Sequence, residues 1–147
     1  TSGKVLFSQD QVLFAINPGE TICFGSIAGN GTPPESVEFT IARPADYDVS
    51  KYVVESPKFE LHDVSVVSNG FGGMCFTGEV TYLGGASGAS SVGEVAVTVV
   101  LRDDAGKIVY GTTTYVDCPA EGETTTFEAN GGSLPRYASI EAYAQPW

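Results

Sequence analysis

Hydrophobic and polar residues alternate along most of the chain, and β-branched and aromatic residues fill the apolar positions. In residues 74–83, Phe76, Val80 and Tyr82 share one face, while threonine and glutamate occupy the other. The same alternation recurs in residues 95–103. A two-residue period is typical of half-buried β-strands, whereas the helical period is nearly absent. The pattern therefore predicts an all-β protein.

Six or seven short antiparallel strands are predicted in the second part of the chain. Glycine-containing turns such as Asp103-Asp104-Ala105-Gly106 separate them, since glycine readily takes a positive φ. This number and spacing of strands indicate a β-sandwich over residues 57–147. The predicted strands lie at 58–67, 74–83, 95–103, 123–128 and 139–144, with a further strand that carries Ile108, Tyr110 and Val116.

The inward-facing positions predict the core, and in one strand they change parity. In the first of these strands, Phe59 and Leu61 point inward, and then the parity changes to Val64 and Val66. A β-bulge near His62-Asp63 accounts for this change, because one extra residue shifts the alternation by one. The predicted core consists of Phe76, Val80, Val97, Val99, Leu101, Ile108, Tyr110, Phe127 and Ile140.

The chain also repeats itself. Residues 3–44 align with residues 106–147 without a gap, at a constant offset of 103. A fixed spacing held across a whole segment indicates a repeated structural unit, and a period of this length indicates tandem modules. Identical pairs include Gly3/Gly106, Gly19/Gly122, Phe24/Phe127, Ser36/Ser139 and Glu38/Glu141.

The first copy is incomplete, because it has no counterpart of the first three strands of the second copy. Its own strands are predicted near residues 4–14, 20–24 and 36–41. The chain therefore divides into the C-terminal half of a repeated module (1–44), a linker (45–56) and a complete module (57–147). Half a sandwich leaves strand edges and apolar faces bare. We expect the segment to be ordered, either docked on its own chain or completed in a homodimer, and self-association is the favoured alternative.

Composition limits the possible partners. The 147 residues include 18 acidic and 7 basic side chains, for a formal net charge of −11. Such a surface repels phosphate backbones and anionic headgroups, which argues against nucleic acid and peripheral membrane binding. No apolar run approaches the roughly 18 residues of a membrane span, so no membrane insertion of this segment is expected.

No constellation of residues predicts an enzyme, a cofactor or a metal site. The one histidine, His62, precedes Asp63, and neighbours in a strand point to opposite faces, so they cannot readily form part of a catalytic triad. Asp46-Tyr47-Asp48 offers too few oxygen ligands for calcium. The three cysteines, at 23, 75 and 118, show no metal-binding spacing and are interpreted as free thiols.

Aromatic residues near the end of the chain form the one candidate contact patch. Tyr137, Tyr143 and Trp147 could together bind a ligand, with Tyr143 on the outward face of its strand. Alternatively, Tyr143 and Trp147 pack on the preceding module or the linker. Coplanar aromatic rings beside a groove would favour carbohydrate, whereas a flat edge strand or an apolar patch would favour a protein partner.

The second module resembles the FxLYD-type domain, an immunoglobulin-like sandwich of bacterial surface proteins and lipoproteins. The matching residues are Phe76-Thr77-Gly78-Glu79-Val80-Thr81, Val97–Asp103 and Gly106-Lys107-Ile108-Val109. Leu101-Arg102-Asp103 stands where the family has Leu-Tyr-Asp, so the central tyrosine is lost. The resemblance implies an immunoglobulin-like fold and an extracellular setting, in a Gram-positive bacterium, and it carries no catalytic residues.

The sequence thus predicts a non-catalytic extracellular structural or interaction module. The favoured interpretation is a spacer or an adhesive module that binds an unknown protein or cell-surface ligand. A carbohydrate-binding accessory module is the alternative.

Overall fold

The computed structural model describes residues 3–10, 17–21, 23–24, 35–42, 55–85 and 92–147. Within these ranges the protein is all-β and contains no helix, as the alternation predicts. Every strand predicted between residues 57 and 147 is present, and the fifth extends to Gly132, beyond its predicted end. The strands are β1 (Lys58–Ser68), β2 (Met74–Gly84), β3 (Glu94–Arg102), β4 (Ile108–Asp117), β5 (Thr124–Gly132) and β6 (Ser139–Pro146).

The six strands form two antiparallel sheets of three strands each. One sheet has the order β1-β2-β5 and the other β4-β3-β6. Strand β1 lies across from β6, and β4 lies across from β5. The two central strands, β2 and β3, therefore face each other through the core, and each outer strand pairs with a central strand.

The core comes mainly from the central strands. Phe76 and Val80 of β2 and the alternate residues Val95 to Leu101 of β3 are fully buried, and Phe127 of β5 is 3% exposed. The rings of Phe76 and Tyr110 meet across the two sheets with centroids 6.0 Å apart. Of the nine predicted core residues, six are buried, and Tyr110 and Ile140 pack against them half-buried.

Ile108 is the core prediction that is wrong, because its side chain is 54% exposed. Leu101 pairs with Tyr110, but Arg102 pairs with Ile108, so Val109 is an extra residue in β4. The bulge turns Ile108 toward the same face as Arg102, which is the outer face. Val109 packs against the core instead.

The predicted bulge in β1 is confirmed. The register between β1 and β2 shifts between His62 and Ser65, and Asp63 has a φ of 52°. A positive φ is uncommon for a residue other than glycine and is typical of such local irregularities. The bulge allows Leu61 before it and Val66 after it to pack against the same core.

The strands predicted in the first copy are not formed in its described residues. Residues 3–10 and 35–42 have no regular secondary structure, and all of them are exposed. The physical reason lies in the pairing of the second copy, where β4 and β6 hydrogen-bond to β3, and β5 hydrogen-bonds to β2. The first copy has no equivalent of β2 or β3. Residues 11–14 and 22 of the predicted strands, most of the predicted linker, and Asp46-Tyr47-Asp48 lie outside the described residues.

Candidate functional site

The outer face of the β4-β3-β6 sheet carries a cluster of polar and aromatic side chains. Since alternate residues of β3 enter the core, Ala96, Thr98 and Arg102 point outward. The register places Tyr115 and Gln145 on either side of Ala96. Ala96 and Thr98 are each only 2% exposed, so the larger neighbouring side chains cover the middle of this face.

Tyr143, Glu141 and Arg102 form a connected network on this face. The Tyr143 hydroxyl donates to Glu141 Oε2 at 2.7 Å, and Arg102 Nε lies 2.8 Å from the same oxygen. The hydrogen bond from Tyr143, followed by that from Arg102, holds the pKa of Glu141 below its usual range. The Glu141 carboxylate in turn raises the pKa of Tyr143. Arg102 also donates to the Gly106 carbonyl at 2.9 Å, so the network ties β6 to the β3–β4 turn.

Trp147 forms an aromatic pair with Tyr115 across the sheet. The ring centroids are 5.1 Å apart, and the planes are tilted by 55°. The Trp147 backbone N–H donates to the Glu94 carbonyl at 2.9 Å, which continues the β6 pairing one residue beyond the strand. Each of the two residues is 48% exposed. The pair is therefore an accessible but angled aromatic surface.

The structure does not bring the three predicted patch residues together. Tyr137 precedes β6 and Trp147 follows it, and ten extended residues span about 33 Å. Tyr143 is half-buried and engaged with Glu141. Sequence reasoning missed Tyr115 as the partner of Trp147. The signal was present, because Val116 shares its parity with the predicted core residue Tyr110, so its neighbour Tyr115 falls on the outward face of the strand.

A shallow groove of about 630 Å³ runs along the free edge of β6. Cys23, Leu61, Tyr143 and Gln145 are among its lining residues. Gln145 is 6% exposed, and its Oε1 has no hydrogen-bond partner among the described residues. The groove therefore offers one buried acceptor, and its charged lining residues include Glu20, Lys58 and Glu60.

A turn of the first copy contacts Ser56, just ahead of β1, beside this groove. The Ser56 hydroxyl and the Asn17 backbone N–H both donate to the Glu20 carboxylate. These hydrogen bonds, that from Ser56 first, hold the pKa of Glu20 below its usual range. Glu20 is exposed, so the contact positions the turn and adds little stability.

The remaining candidate groups are the three cysteines and His62. Cys23, Cys75 and Cys118 are free thiols, as predicted, and burial raises the pKa of both Cys75 and Cys118. His62 lies at the β1 bulge, with Nε2 3.6 Å from Glu60 Oε2. In the part of the chain that the structure describes, no three His, Cys, Asp or Glu side chains are grouped to hold a metal ion.

Apolar side chains are exposed throughout the described part of the first copy. They include Val5 (74%), Phe7 (50%), Phe24 (42%), Val37 (63%), Phe39 (83%) and Ile41 (96%). Exposed apolar residues scattered one by one are ordinary, but here most of the described apolar residues of one segment are exposed.

No protein-family model, curated protein or solved structure matches this chain. Among the described residues there is also no helix long and apolar enough to cross a membrane. The described residues thus define an all-β protein with two antiparallel three-stranded sheets. One sheet has a polar and aromatic outer face, and an exposed apolar segment precedes the sheets in sequence.

Proposed function

We propose that this chain is a non-catalytic structural and protein-interaction module, with an immunoglobulin-like sandwich at residues 57–147, from a tandem array on a bacterial surface protein. The surface setting rests on the likeness of residues 76–109 to FxLYD-type domains. In the structure those residues serve the fold. Phe76 and Leu101 lie in the core, and Asp103 Oδ1 accepts from the Ala105 and Lys107 backbone N–H groups at 3.0 and 2.9 Å.

The observation that carries the proposal is a turn that occurs twice. The Glu20 N–H donates to the Asn17 carbonyl at 3.1 Å, and the Glu123 N–H donates to the Ala120 carbonyl at 2.8 Å. Gly19 and Gly122 follow the same offset of 103, and their φ angles are 87° and 82°. At this turn the two copies thus share backbone conformation as well as sequence. Repeated non-catalytic sandwiches fit the role of spacers and adhesive modules.

Two features favour a protein partner over carbohydrate. The Tyr115 and Trp147 rings are tilted by 55°, so they do not form the flat platform on which a sugar ring stacks. The first copy, in contrast, exposes a run of large apolar side chains that suits a protein surface. The high proportion of acidic residues is consistent with a soluble extracellular module.

Protease treatment of intact cells of the source organism tests the surface location. Protease added outside should release peptides from this chain while a cytoplasmic marker protein stays intact. If the chain is cut only after the cells are lysed, the extracellular assignment is wrong.

Carbohydrate binding remains the second candidate, because Tyr115 and Trp147 are accessible on one face. Titration calorimetry with soluble cell-wall and plant oligosaccharides tests it. Binding that Trp147→Ala abolishes and Tyr137→Ala preserves would favour this alternative, because Tyr137 lies at the far end of β6. The proposed protein-interaction role predicts no measurable heat.

A further inference from the structure

We propose that residues 3–42 are the strand-forming half of a second sandwich, and that their partner is a three-stranded half-module of the kind formed by β1, β2 and β3. This inference rests on the tandem repeat behind the proposed function and is independent of where the protein is located. It identifies the partner surface by its structure, namely a β2-like and a β3-like strand whose free edges are not yet paired.

The pairing of the complete module specifies this partner. Strands β4 and β6 lie on the two sides of β3, and β5 lies beside β2. Among the described strands, β4, β5 and β6 do not pair with one another. Residues 3–42 correspond to these three strands, so they cannot form a sheet in the same topology by themselves. Each strand needs an edge of a β2 or β3 equivalent.

The apolar residues of the first copy match positions that the second copy covers. Phe24 is 42% exposed, whereas Phe127 at the aligned position is 3% exposed. Phe39 and Ile41 are 83% and 96% exposed, and they align with Ala142 and Ala144, which pack half-buried against the core. The first copy thus has the side chains of a core and lacks the strands that would enclose them. Covering them is the favourable term that would drive strand formation.

A second copy of this chain does not supply what is missing. Each chain contains one half of the β1–β3 kind and two halves of the β4–β6 kind. If two chains exchange halves, one β4–β6 half for each chain therefore still has no β1–β3 half to pair with, as in a single chain. Residues 3–42 could replace residues 106–147 on a neighbouring chain, but the displaced half would then be unpaired. Only an additional β1–β3 half gives every β4–β6 half a partner.

The alignment of the two copies shows where a β1–β3 half can be joined to the chain. Because Gly3 aligns with Gly106, residues 57–105 can be joined directly ahead of Gly3 in the whole chain, and the junction then reproduces the native β3–β4 turn. Amide hydrogen exchange, measured segment by segment, reports strand formation. In the extended chain, the protection of residues 3–10 and 35–42 should rise at least about 100-fold over the original chain. Residues 57–147 of the same molecule provide the internal reference for a folded module.

A matched substitution separates this specific completion from non-specific collapse. Phe24→Asp should remove the new protection in the extended chain, because Phe24 occupies the position of the core residue Phe127. The same substitution in the original chain should leave the protection of residues 57–147 unchanged, since Phe24 is exposed there.

Two results would overturn the inference. One is an extended chain whose second module is folded while residues 3–42 exchange as fast as before. The other is a dimer of the original chain, by light scattering, in which residues 3–10 are already protected, because the partner would then be a second copy. Neither result bears on surface location, which the protease experiment tests separately.

Discussion

The ring of Phe127 lies directly against the backbone of Gly78 on the neighbouring strand. The two residues are register partners in the β2–β5 pair. A Cβ added at Gly78 would lie 2.7 Å from Phe127 Cε1 and 3.1 Å from the His62 carbonyl oxygen. Gly78 thus leaves room for the Phe127 ring, and the fit between the two closes this side of the core.

Phe127→Ala should destabilise the protein by about 3–5 kcal/mol, because it removes a buried ring and leaves a cavity between the sheets. Urea denaturation followed by fluorescence or circular dichroism measures the change in the free energy of unfolding. A loss below about 1 kcal/mol would show that the ring is not part of the core.

Gly78→Ala should cost about 1–3 kcal/mol, because the new methyl group overlaps the Phe127 ring and the backbone of β1. Gly111→Ala is the matched control. It is also a strand glycine, and its nearest neighbour, the Val99 carbonyl oxygen, lies at an ordinary 3.7 Å. Combining Gly78→Ala with Phe127→Ala should cost less than the sum of the two, since the smaller side chain relieves the overlap. Additive effects would contradict the contact.

Glu141→Gln should weaken the acid sensitivity of the fold. The hydrogen bond from Tyr143, followed by that from Arg102, lowers the folded-state pKa of Glu141. A carboxylate of this kind adds stability above its unfolded-state pKa and loses that contribution as the pH falls through its folded-state pKa.

The Glu141→Gln variant should therefore be less stable at neutral pH and lose less of its melting temperature between about pH 5 and pH 3. Glu38→Gln is the matched control, because Glu38 is the aligned residue in the exposed first copy. Parallel melting curves for Glu141→Gln and the unmodified chain across this range would show that the Tyr143–Glu141–Arg102 network does not stabilise the fold.

His62→Ala should leave the melting temperature within a few degrees of the original, and a chelator should not shift it. The half-buried imidazole lies beside Glu60 at the bulge, and such partly exposed pairs contribute about 0–1 kcal/mol. Differential scanning calorimetry with and without EDTA provides the measurement. A chelator-dependent shift would reveal a metal site.

Alternation along the sequence was sufficient to locate six strands, since residues such as Val97, Val99 and Leu101 place their apolar side chains on one face of the strand. Even the bulge at Asp63 was visible as a change of parity. The bulge at Val109 was not, because Ile108 and Tyr110 continue the apparent alternation through it. This bulge depends on the pairing of Ile108 with Arg102 of β3, and the local sequence pattern carries no information about that pairing.

The site was less predictable than the fold, because it too depends on strand pairing that the local sequence pattern does not show. Trp147 meets Tyr115 because both strands pair with β3, so their contact depends on sheet order rather than on sequence distance. In the first copy, the alternation of Val5 and Phe7 predicts a strand that the described residues do not form. A strand also needs a partner edge, and sequence alternation does not show whether one is present.

Residues 57–147 should fold as a complete module by themselves, because the first copy adds little to their stability. Equilibrium unfolding of residues 57–147 alone, beside the whole chain, tests it most directly. The Glu20–Ser56 contact is exposed, so the shorter chain should unfold in one transition with a free energy within about 1 kcal/mol of that of the whole chain. A loss of more than about 3 kcal/mol, or failure of the shorter chain to fold, would contradict the account.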